Sequence, residues 1–225
     1  DLMQKFYDHA ASFGAPIINE EVVAVIKESE NFVAKTMSGA EYHGRNLILA
    51  IGTKPRKLNV INEEKLLGRG ISYCFTCDGF FFKNKDVAVI GSGNSAHTAS
   101  VYLSRIAKKV YQIVRGNELK GEIELIDEVK NNPNIELIFN TNIKEAIVEQ
   151  KLEKIKLDKE FNGSAELLVD GLFIEIGTKP VIGIFKDLKL RRSRERFIKV
   201  DDDQSTDVAG IWAAGDITTG SNGLR

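Results

Sequence analysis

The sequence predicts an α/β protein of two similarly built lobes, one interrupting the other. The segment Ile51-Gly52-Thr53-Lys54-Pro55 is repeated letter for letter from Ile176 to Pro180, and each copy follows an apolar strand. Each copy lies where an apolar strand runs into a glycine turn, so we interpret the two copies as equivalent strand exits. A glycine-rich turn from Gly91 to Ala96, between an apolar strand and a helix, supports the α/β class.

The repeat also predicts the domain boundaries. Residues 67–177 are expected to form an inserted domain with a parallel sheet and a β-meander, and residues 1–66 and 178–225 to form the discontinuous outer domain. Apolar periodicity adds the first elements of the outer domain. These are an amphipathic helix from Leu2 that ends before Gly14 and strands over residues 21–27, 32–37 and 46–51.

The composition is that of a globular chain. Of 225 residues, 43% are hydrophobic and 28% are charged, which argues against disorder. A formal net charge of -1 gives no general attraction for nucleic acid or for anionic membranes. There is no leader pattern and no apolar run long enough to span a bilayer, so we expect a cytoplasmic protein without nucleic-acid or membrane partners.

The inserted domain contains a β-α-β unit around the glycine-rich turn. A Val/Ile strand from Asp86 leads into the turn, a helix follows from about Asn94 to Ala107, and a second strand runs from Val110 to Val114. This is the context that a dinucleotide-binding, Rossmann-like fold demands. A glycine-rich turn that binds nothing remains the alternative interpretation.

Each small residue of this turn has an expected role. Gly91 makes the tight turn, Gly93 lets the backbone approach a pyrophosphate, and Ala96 lets the helix and the strand pack closely. Asn94 and Ser95 open the helix, whose free N–H groups and dipole favour an anion. We therefore predict that residues 91–96 bind a nicotinamide dinucleotide.

The end of the second strand indicates which dinucleotide is bound. A carboxylate there would bind the ribose hydroxyls of NAD, whereas a basic residue accommodates the 2′-phosphate of NADP. No acid follows this strand immediately, and Arg115 and Lys120 are available cations, so NADP(H) is favoured over NAD(H). Both residues could equally be plain surface residues.

Cys74 and Cys77 are the only cysteines, and Asp78 follows the second directly. A Cys-x-x-Cys pair can close into a reducible disulfide whose thiolates attack other disulfides. The alternatives are half of a zinc site or two buried thiols. The three histidines are scattered without metal-ligand spacing, so we predict redox chemistry and no metal. Elsewhere, Glu175 is interpreted as a solvated strand end.

Three motifs together resemble the low-molecular-weight thioredoxin reductases and their flavoprotein relatives. They are Cys74-Phe75-Thr76-Cys77-Asp78-Gly79, Gly91-Ser92-Gly93-Asn94-Ser95-Ala96 and Trp212-Ala213-Ala214-Gly215-Asp216. The resemblance runs from the first helix to the last residue in the same motif order. It implies two Rossmann-like lobes, an FAD-type domain interrupted by an inserted NADPH domain that carries the disulfide.

The resemblance also implies roles for the redox residues. Cys77 would face the flavin and receive its electrons, and Cys74 would attack the disulfide of a thioredoxin-like protein. Asp78 would protonate the leaving thiolate. Because the family is usually dimeric, a homodimer is expected.

For FAD, the resemblance implicates Gly52, Gly215, Asp216 and Arg225. The family's first segment, with its own glycine motif, and its final helix are not part of this sequence. The FAD site is therefore expected to be incomplete, and residues 1–225 alone should hold FAD weakly or not at all.

For the electron donor, the sequence departs from the family. Members that use NADPH show a His-Arg-Arg-x-x-x-Arg pattern, whereas the matching residues here are Val114, Arg115, Gly116 and Lys120. Thr98 and Ala99 replace the acidic pair usual after the glycine motif. NADPH, NADH and ferredoxin remain alternative donors, and a non-catalytic dinucleotide-binding chain is the third hypothesis.

Overall fold

The computed structural model describes residues 1–148 and 151–219. The chain forms two compact units. The first comprises residues 1–53 and the described residues from Pro180 onward, and the second comprises residues 54–179. Residues 54–66, which the sequence assigns to the outer domain, cluster with the second unit, and the boundaries of the functional domains stay a prediction.

The elements are as follows, in chain order. The strands are β1 (Val22–Glu28), β2 (Asn31–Thr36), β3 (Glu41–Gly44), β4 (Leu47–Leu49), β5 (Thr53–Pro55), β6 (Ile71–Ser72), β7 (Asp86–Ile90), β8 (Lys109–Ile113), β9 (Ile135–Ile138), β10 (Ile143–Val148), β11 (Leu152–Phe161), β12 (Ser164–Leu168), β13 (Gly171–Ile174), β14 (Thr178–Pro180) and β15 (Ile211–Ala213). The helices are α1 (Leu2–Ser12), α2 (Glu63–Leu66), α3 (Phe75–Asp78), α4 (Asn94–Ser104) and α5 (Ile123–Asn131), with 3₁₀ turns at Gly79–Phe82, Gly183–Leu188 and Gly215–Ile217.

The second unit is built on a parallel five-stranded sheet of order β6-β13-β7-β8-β9. Both faces of its central strand β7 are covered, so Val87, Ala88 and Val89 are fully buried. Val87 and Val89 pack with Ala96 and Ala99 of α4 on one face. On the opposite face the core includes residues of the antiparallel sheet β10-β11-β12. The predicted α/β class, with a parallel sheet and a meander, is confirmed.

The first unit contains an antiparallel sheet of order β1-β2-β3 and a parallel pair formed by β4 and β15. Its core includes Val25, Phe32, Leu49 and Ile211. The predicted N-terminal helix is present as α1, but none of its residues is buried.

The two copies of the repeated pentapeptide lie side by side. Their Thr-Lys-Pro portions form β5 and β14, which pair with each other as a two-stranded sheet. Just beyond β5, the Arg56 N–H donates to the Gly177 carbonyl at 2.9 Å. The two copies therefore form a strand pair, which the sequence did not predict, and their interpretation as equivalent strand exits stays a prediction. Within the described residues, no helix is long and apolar enough to cross a membrane.

Candidate active site

The predicted redox pair is a disulfide, with the Cα atoms of Cys74 and Cys77 5.3 Å apart. Cys74 is the N-cap of α3, and its Sγ accepts a hydrogen bond from the Cys77 N–H at 3.2 Å. Cys77 is exposed and Cys74 is half-buried, so the bond is accessible from solvent. Within residues 1–148 and 151–219 there is no cluster of three His, Cys, Asp or Glu side chains that could hold a metal ion.

Asp78 is held in place by a residue that sequence reasoning missed. Ser72, only 6% exposed, donates through Oγ to Asp78 Oδ2 at 2.7 Å and accepts from the Cys74 N–H at 2.9 Å. One hydroxyl therefore links the acid to the backbone of the first cysteine. A serine at the end of an apolar strand, two residues before a cysteine, was the available signal.

A second missed contact anchors the residue before Cys74. Glu63 is 3% exposed, and its carboxylate accepts hydrogen bonds from the Tyr73 hydroxyl and from three backbone N–H groups. Those three N–H groups belong to Leu58, Asn59 and Val60. Burial, followed by the hydrogen bond to Glu63, raises the pKa of Tyr73 well above its ordinary value. One buried carboxylate thus joins the segment before α2 to Tyr73, the residue that precedes the redox disulfide.

Two large aromatic residues lie exposed directly after the redox helix. Phe80 and Phe81 are 71% and 72% exposed, whereas Phe82 is buried and packs edge-on against Phe173 with ring centroids 5.3 Å apart. Phe82 therefore anchors the 3₁₀ turn to the core and leaves the two preceding rings outward. Sequence reasoning missed this pair, although three consecutive phenylalanines cannot all face one core from a short turn.

The glycine-rich turn has the shape expected for a dinucleotide site. Gly91 has φ +150°, and a Cβ there would overlap the Glu175 carbonyl and lie 2.7 Å from Ala96 Cβ. Gly93 is the N-cap of α4 without a side-chain capping bond, and nothing lies within 4 Å of where its Cβ would be. The open space beside free helix N–H groups, with Asn94 in the first turn, fits a pyrophosphate.

The segment after the second strand packs onto this turn. The Lys120 N–H donates to the Ser92 carbonyl at 2.7 Å. Two hydrogen bonds join Asn94 and Glu122. The Glu122 N–H donates to Asn94 Oδ1 at 2.8 Å, and Asn94 Nδ2 donates to Glu122 Oε1 at 3.1 Å. Lys120 is thereby brought to the glycine turn, while Arg115 is exposed two residues beyond the end of β8.

A buried polar pair supports both parts of this site and was not predicted. His97 and Gln112 are fully buried. The Gln112 amide donates to the Gly91 carbonyl at 3.1 Å and lies 3.0 Å from His97 Nδ1, while His97 Nε2 lies 3.0 Å from the Lys120 carbonyl. One tautomer, with the proton on Nε2, satisfies both histidine contacts. The pair therefore ties the glycine turn to the Lys120 segment.

Glu175 differs from its interpretation as a solvated strand end. It does follow β13 directly, with its N–H donating to the Ile90 carbonyl at 2.9 Å, but its side chain is half-buried. Burial raises the pKa of this carboxyl to about 7. The interpretation as a solvated side chain was therefore wrong, because this position is only partly accessible to water.

The residues assigned to FAD lie at one edge of the parallel pair in the first unit. Because β4 and β15 are parallel, Gly52 and Gly215 both follow carboxyl ends at that edge, and the Ala214 N–H donates to the Leu49 carbonyl at 3.0 Å. Both glycines have open space around them, and Asp216 is exposed. These residues fit part of a flavin dinucleotide. Arg225 lies outside the described residues.

A parallel α/β unit with a solvent-accessible disulfide and a glycine-rich turn between strand and helix is the arrangement expected of a disulfide oxidoreductase with a Rossmann-like fold. Residues 11–224 match the family model for pyridine nucleotide-disulphide oxidoreductase. The chain belongs to this family, as one of its thioredoxin reductase-like members, and it is an oxidoreductase with a redox-active disulfide.

Individual relatives support this membership. The chain is 38% identical over 209 residues to a thioredoxin reductase of Treponema pallidum, covering 92% of this chain and 67% of that protein. It is 37% identical to the thioredoxin reductase of Bacillus subtilis, covering 96% and 69%. The chain thus spans about two thirds of the length of these relatives.

Solved structures of thioredoxin reductases also resemble this chain. The thioredoxin reductase of T. acidophilum is similar with a TM-score of 0.80 at 34% identity, over 97% of this chain and 72% of that one. The Lactococcus lactis thioredoxin reductase gives a TM-score of 0.83 at 27% identity, over the same shares.

Proposed function

We propose that this chain passes electrons from NADPH or NADH, through FAD, to the Cys74–Cys77 disulfide and on to a thioredoxin-like protein. The observation that carries the proposal is the accessible disulfide, whose neighbour Asp78 is held in place by Ser72. Phe80 and Phe81 beside it offer an apolar surface to a protein substrate. Cytoplasmic location and a homodimer belong to the same proposal, by resemblance to the family.

The exchange step follows from the contacts of the two sulfurs. In the reduced pair, the Cys77 N–H stabilises negative charge on Cys74 Sγ. The Cys74 thiolate attacks one sulfur of the substrate disulfide, which forms a mixed disulfide and releases a substrate thiolate that takes a proton from the Asp78 carboxyl. The Cys77 thiolate then attacks Cys74 Sγ, restoring the disulfide and releasing the second substrate thiolate.

The cofactors would be held at the two glycine-bearing edges. Gly93 to Ala96 would bind the pyrophosphate of the nicotinamide dinucleotide, and Arg115 with Lys120 its 2′-phosphate. Gly52, Gly215 and Asp216, together with Arg225, would bind FAD. A bound flavin supplies the electron pair that reduces the disulfide, with Cys77 as the sulfur that receives it.

The same last step with another donor, such as ferredoxin, is the second candidate. The observation favouring it is the loss of basic side chains after β8, where Gly116 stands and Arg115 and Lys120 are the remaining cations. In a preparation that retains FAD, bleaching of the flavin by NADPH separates the two candidates. A preparation without flavin and without disulfide exchange would instead favour a non-catalytic dinucleotide-binding protein.

A single-turnover experiment tests the disulfide step without a cofactor. The chain is reduced with dithiothreitol, desalted and mixed with an oxidised thioredoxin, and the products are resolved by mass spectrometry. We expect Cys77→Ser to accumulate a mixed disulfide through Cys74, and Cys74→Ser to form none. Thr98→Ser, at an exposed position on α4, is the control and should exchange as the wild type does. A mixed disulfide formed by Cys74→Ser, or release of fully reduced thioredoxin by either cysteine variant, would refute the proposal.

A further inference from the structure

Glu175 lies at an end of the nucleotide site that no assigned residue covers. The glycine turn follows β7, which has β8 on one side and β13 on the other. In such a fold the end of the second strand, here β8, contacts the ribose of the adenosine half. The nicotinamide half of a dinucleotide crossing this edge therefore extends toward β13, and Glu175 is the first residue after β13.

The side chain of Glu175 lies on the face of the sheet that carries α4. Leu172 and Ile174 pack on one face, whereas Phe173 packs with Ala96 of α4 on the other. The alternation of side chains along a strand places Glu175 with Phe173. The main chain of Glu175 also touches the turn, because its carbonyl is the atom that a Cβ on Gly91 would overlap.

The Glu175 carboxyl is half-buried and is available to bind a ligand. Among the described residues its side chain has no hydrogen bond or ion pair, and burial is the only cause of its raised pKa, about 7. The ionisable side chains on the surrounding elements are Asp78 after β6, His97 on α4, Lys120 and Glu122 on the segment over the turn, and Arg56, which bonds the Thr178 carbonyl. None of them contributes to that raised pKa.

We propose that Glu175 contacts the nicotinamide half of the bound nucleotide and distinguishes its oxidised form from its reduced form by charge. This inference rests on the proposed binding of a pyridine nucleotide. The oxidised nicotinamide ring carries a positive charge and the reduced ring is neutral, so an ionised carboxylate attracts only the oxidised form. Preferential binding of the oxidised form favours loss of hydride from the reduced nucleotide to the flavin.

The sign of the pH dependence follows from linkage. A cationic ring beside Glu175 lowers the pKa of the carboxyl from about 7, so binding of NADP⁺ releases a proton. Affinity for NADP⁺ therefore rises as the pH rises through 7, while affinity for NADPH does not. A shift of one pKa unit corresponds to about a tenfold change in this affinity ratio.

The test is a titration of residues 1–225 with NADP⁺, NADPH and 2′,5′-ADP between about pH 6 and pH 8.5. The last ligand has the adenosine half and its 2′-phosphate but no nicotinamide. We expect Glu175→Gln to reduce the preference for NADP⁺ over NADPH about three- to tenfold at the high end of this range. Binding of 2′,5′-ADP should stay unchanged. Glu160→Gln, at an exposed position on β11, is the matched control.

The outcomes separate this inference from the proposed function. If 2′,5′-ADP and both nucleotides bind, and the NADP⁺ to NADPH preference is the same in wild type and Glu175→Gln, the inference is overturned while nucleotide binding stands. If none of the three ligands binds the wild type, the proposed nucleotide site fails and this inference with it. Should Glu175→Gln not fold, a wild-type preference that is constant with pH overturns the inference.

Discussion

Ser72 Oγ lies 2.7 Å from Asp78 Oδ2, so a buried hydroxyl orients the carboxylate of the residue that directly follows Cys77. The same oxygen accepts the Cys74 N–H. Asp78 is therefore fixed relative to both cysteines by a group outside the Cys-x-x-Cys motif. A proton donor acts only within hydrogen-bond reach of the leaving atom, so this contact bears on turnover as well as on stability.

Ser72→Ala is expected to slow reduction of a thioredoxin disulfide about tenfold, because Asp78 loses its fixed orientation. Asp78→Asn should slow it more, and the double variant should be no slower than Asp78→Asn alone. This non-additivity is the specific readout, measured as single-turnover rates in a double-mutant cycle. Fully additive effects would show that Ser72 acts independently of Asp78.

Glu63→Gln is expected to destabilise the fold by about 2–4 kcal/mol, because an amide cannot accept from all four donors that surround the buried carboxylate. The measurement is the free energy of unfolding in urea. Glu64→Gln is the matched control, since the adjacent Glu64 is exposed and pairs with Lys57 at the surface. Equal stability of the two variants would contradict the anchoring role.

The Glu63–Tyr73 contact also predicts a pH dependence. The pKa of Tyr73 is raised in the folded state, first by burial and then by Glu63, so folding favours the neutral phenol. This contribution is complete below the unfolded pKa of about 10 and is lost as the pH rises above it. The wild type should lose stability above that pH, and Tyr73→Phe should lose less. If the free energy of unfolding fell equally with pH in the wild type and in Tyr73→Phe, Tyr73 would make no such contribution.

Gly91→Ala should mainly lower stability and Gly93→Ala should mainly weaken nucleotide binding, although the two residues share one motif. A methyl group at Gly91 would overlap the Glu175 carbonyl and crowd Ala96, so we expect a loss of about 2–4 kcal/mol in stability. A methyl group at Gly93 enters open space, and stability should change by less than about 1 kcal/mol. It should nevertheless weaken NADPH binding about tenfold by filling the pyrophosphate space. A Gly93→Ala variant that binds NADPH normally would contradict the site.

Local sequence patterns were sufficient to predict the strands and the helix that surround the glycine-rich turn. Apolar runs and the glycine turn predicted β7, α4 and β8, because each depends on neighbours in the sequence. The repeated pentapeptide pointed to equivalent strand exits, but pairing of β5 with β14 required the fold. The parallel sheet buries β7 on both faces, which is why its sequence is continuously apolar.

The contacts that hold the site together could not be predicted from the sequence, because they form between residues that only the folded chain brings together. Glu63 stands beside another glutamate in a polar stretch and looks solvated, yet it is buried once Tyr73 approaches from ten residues away. Glu175 was misjudged for the same reason. Nothing in the sequence indicated that His97 and Gln112 bond to each other, because the histidine contacts depend on the approach of Gln112 and of the Lys120 carbonyl in the folded chain.

Arg115 and Lys120 are the side chains expected to discriminate NADPH from NADH. Lys120 is brought to the glycine turn by its N–H bond to Ser92, and Arg115 is exposed after β8. Arginine can grip a phosphate bidentately, whereas lysine acts as a point charge, and Gly116 contributes no side chain. We therefore expect weak NADPH binding, with only a modest preference over NADH.

Removing Arg115 should abolish that preference. We expect Arg115→Ala to weaken NADPH binding about tenfold and NADH binding less than about twofold, because only NADPH carries the 2′-phosphate. Both nucleotides are titrated at fixed ionic strength, and Arg105→Ala, at the far end of α4, is the matched control. Tight, NADPH-selective binding that survives in Arg115→Ala would show that another group reads the 2′-phosphate.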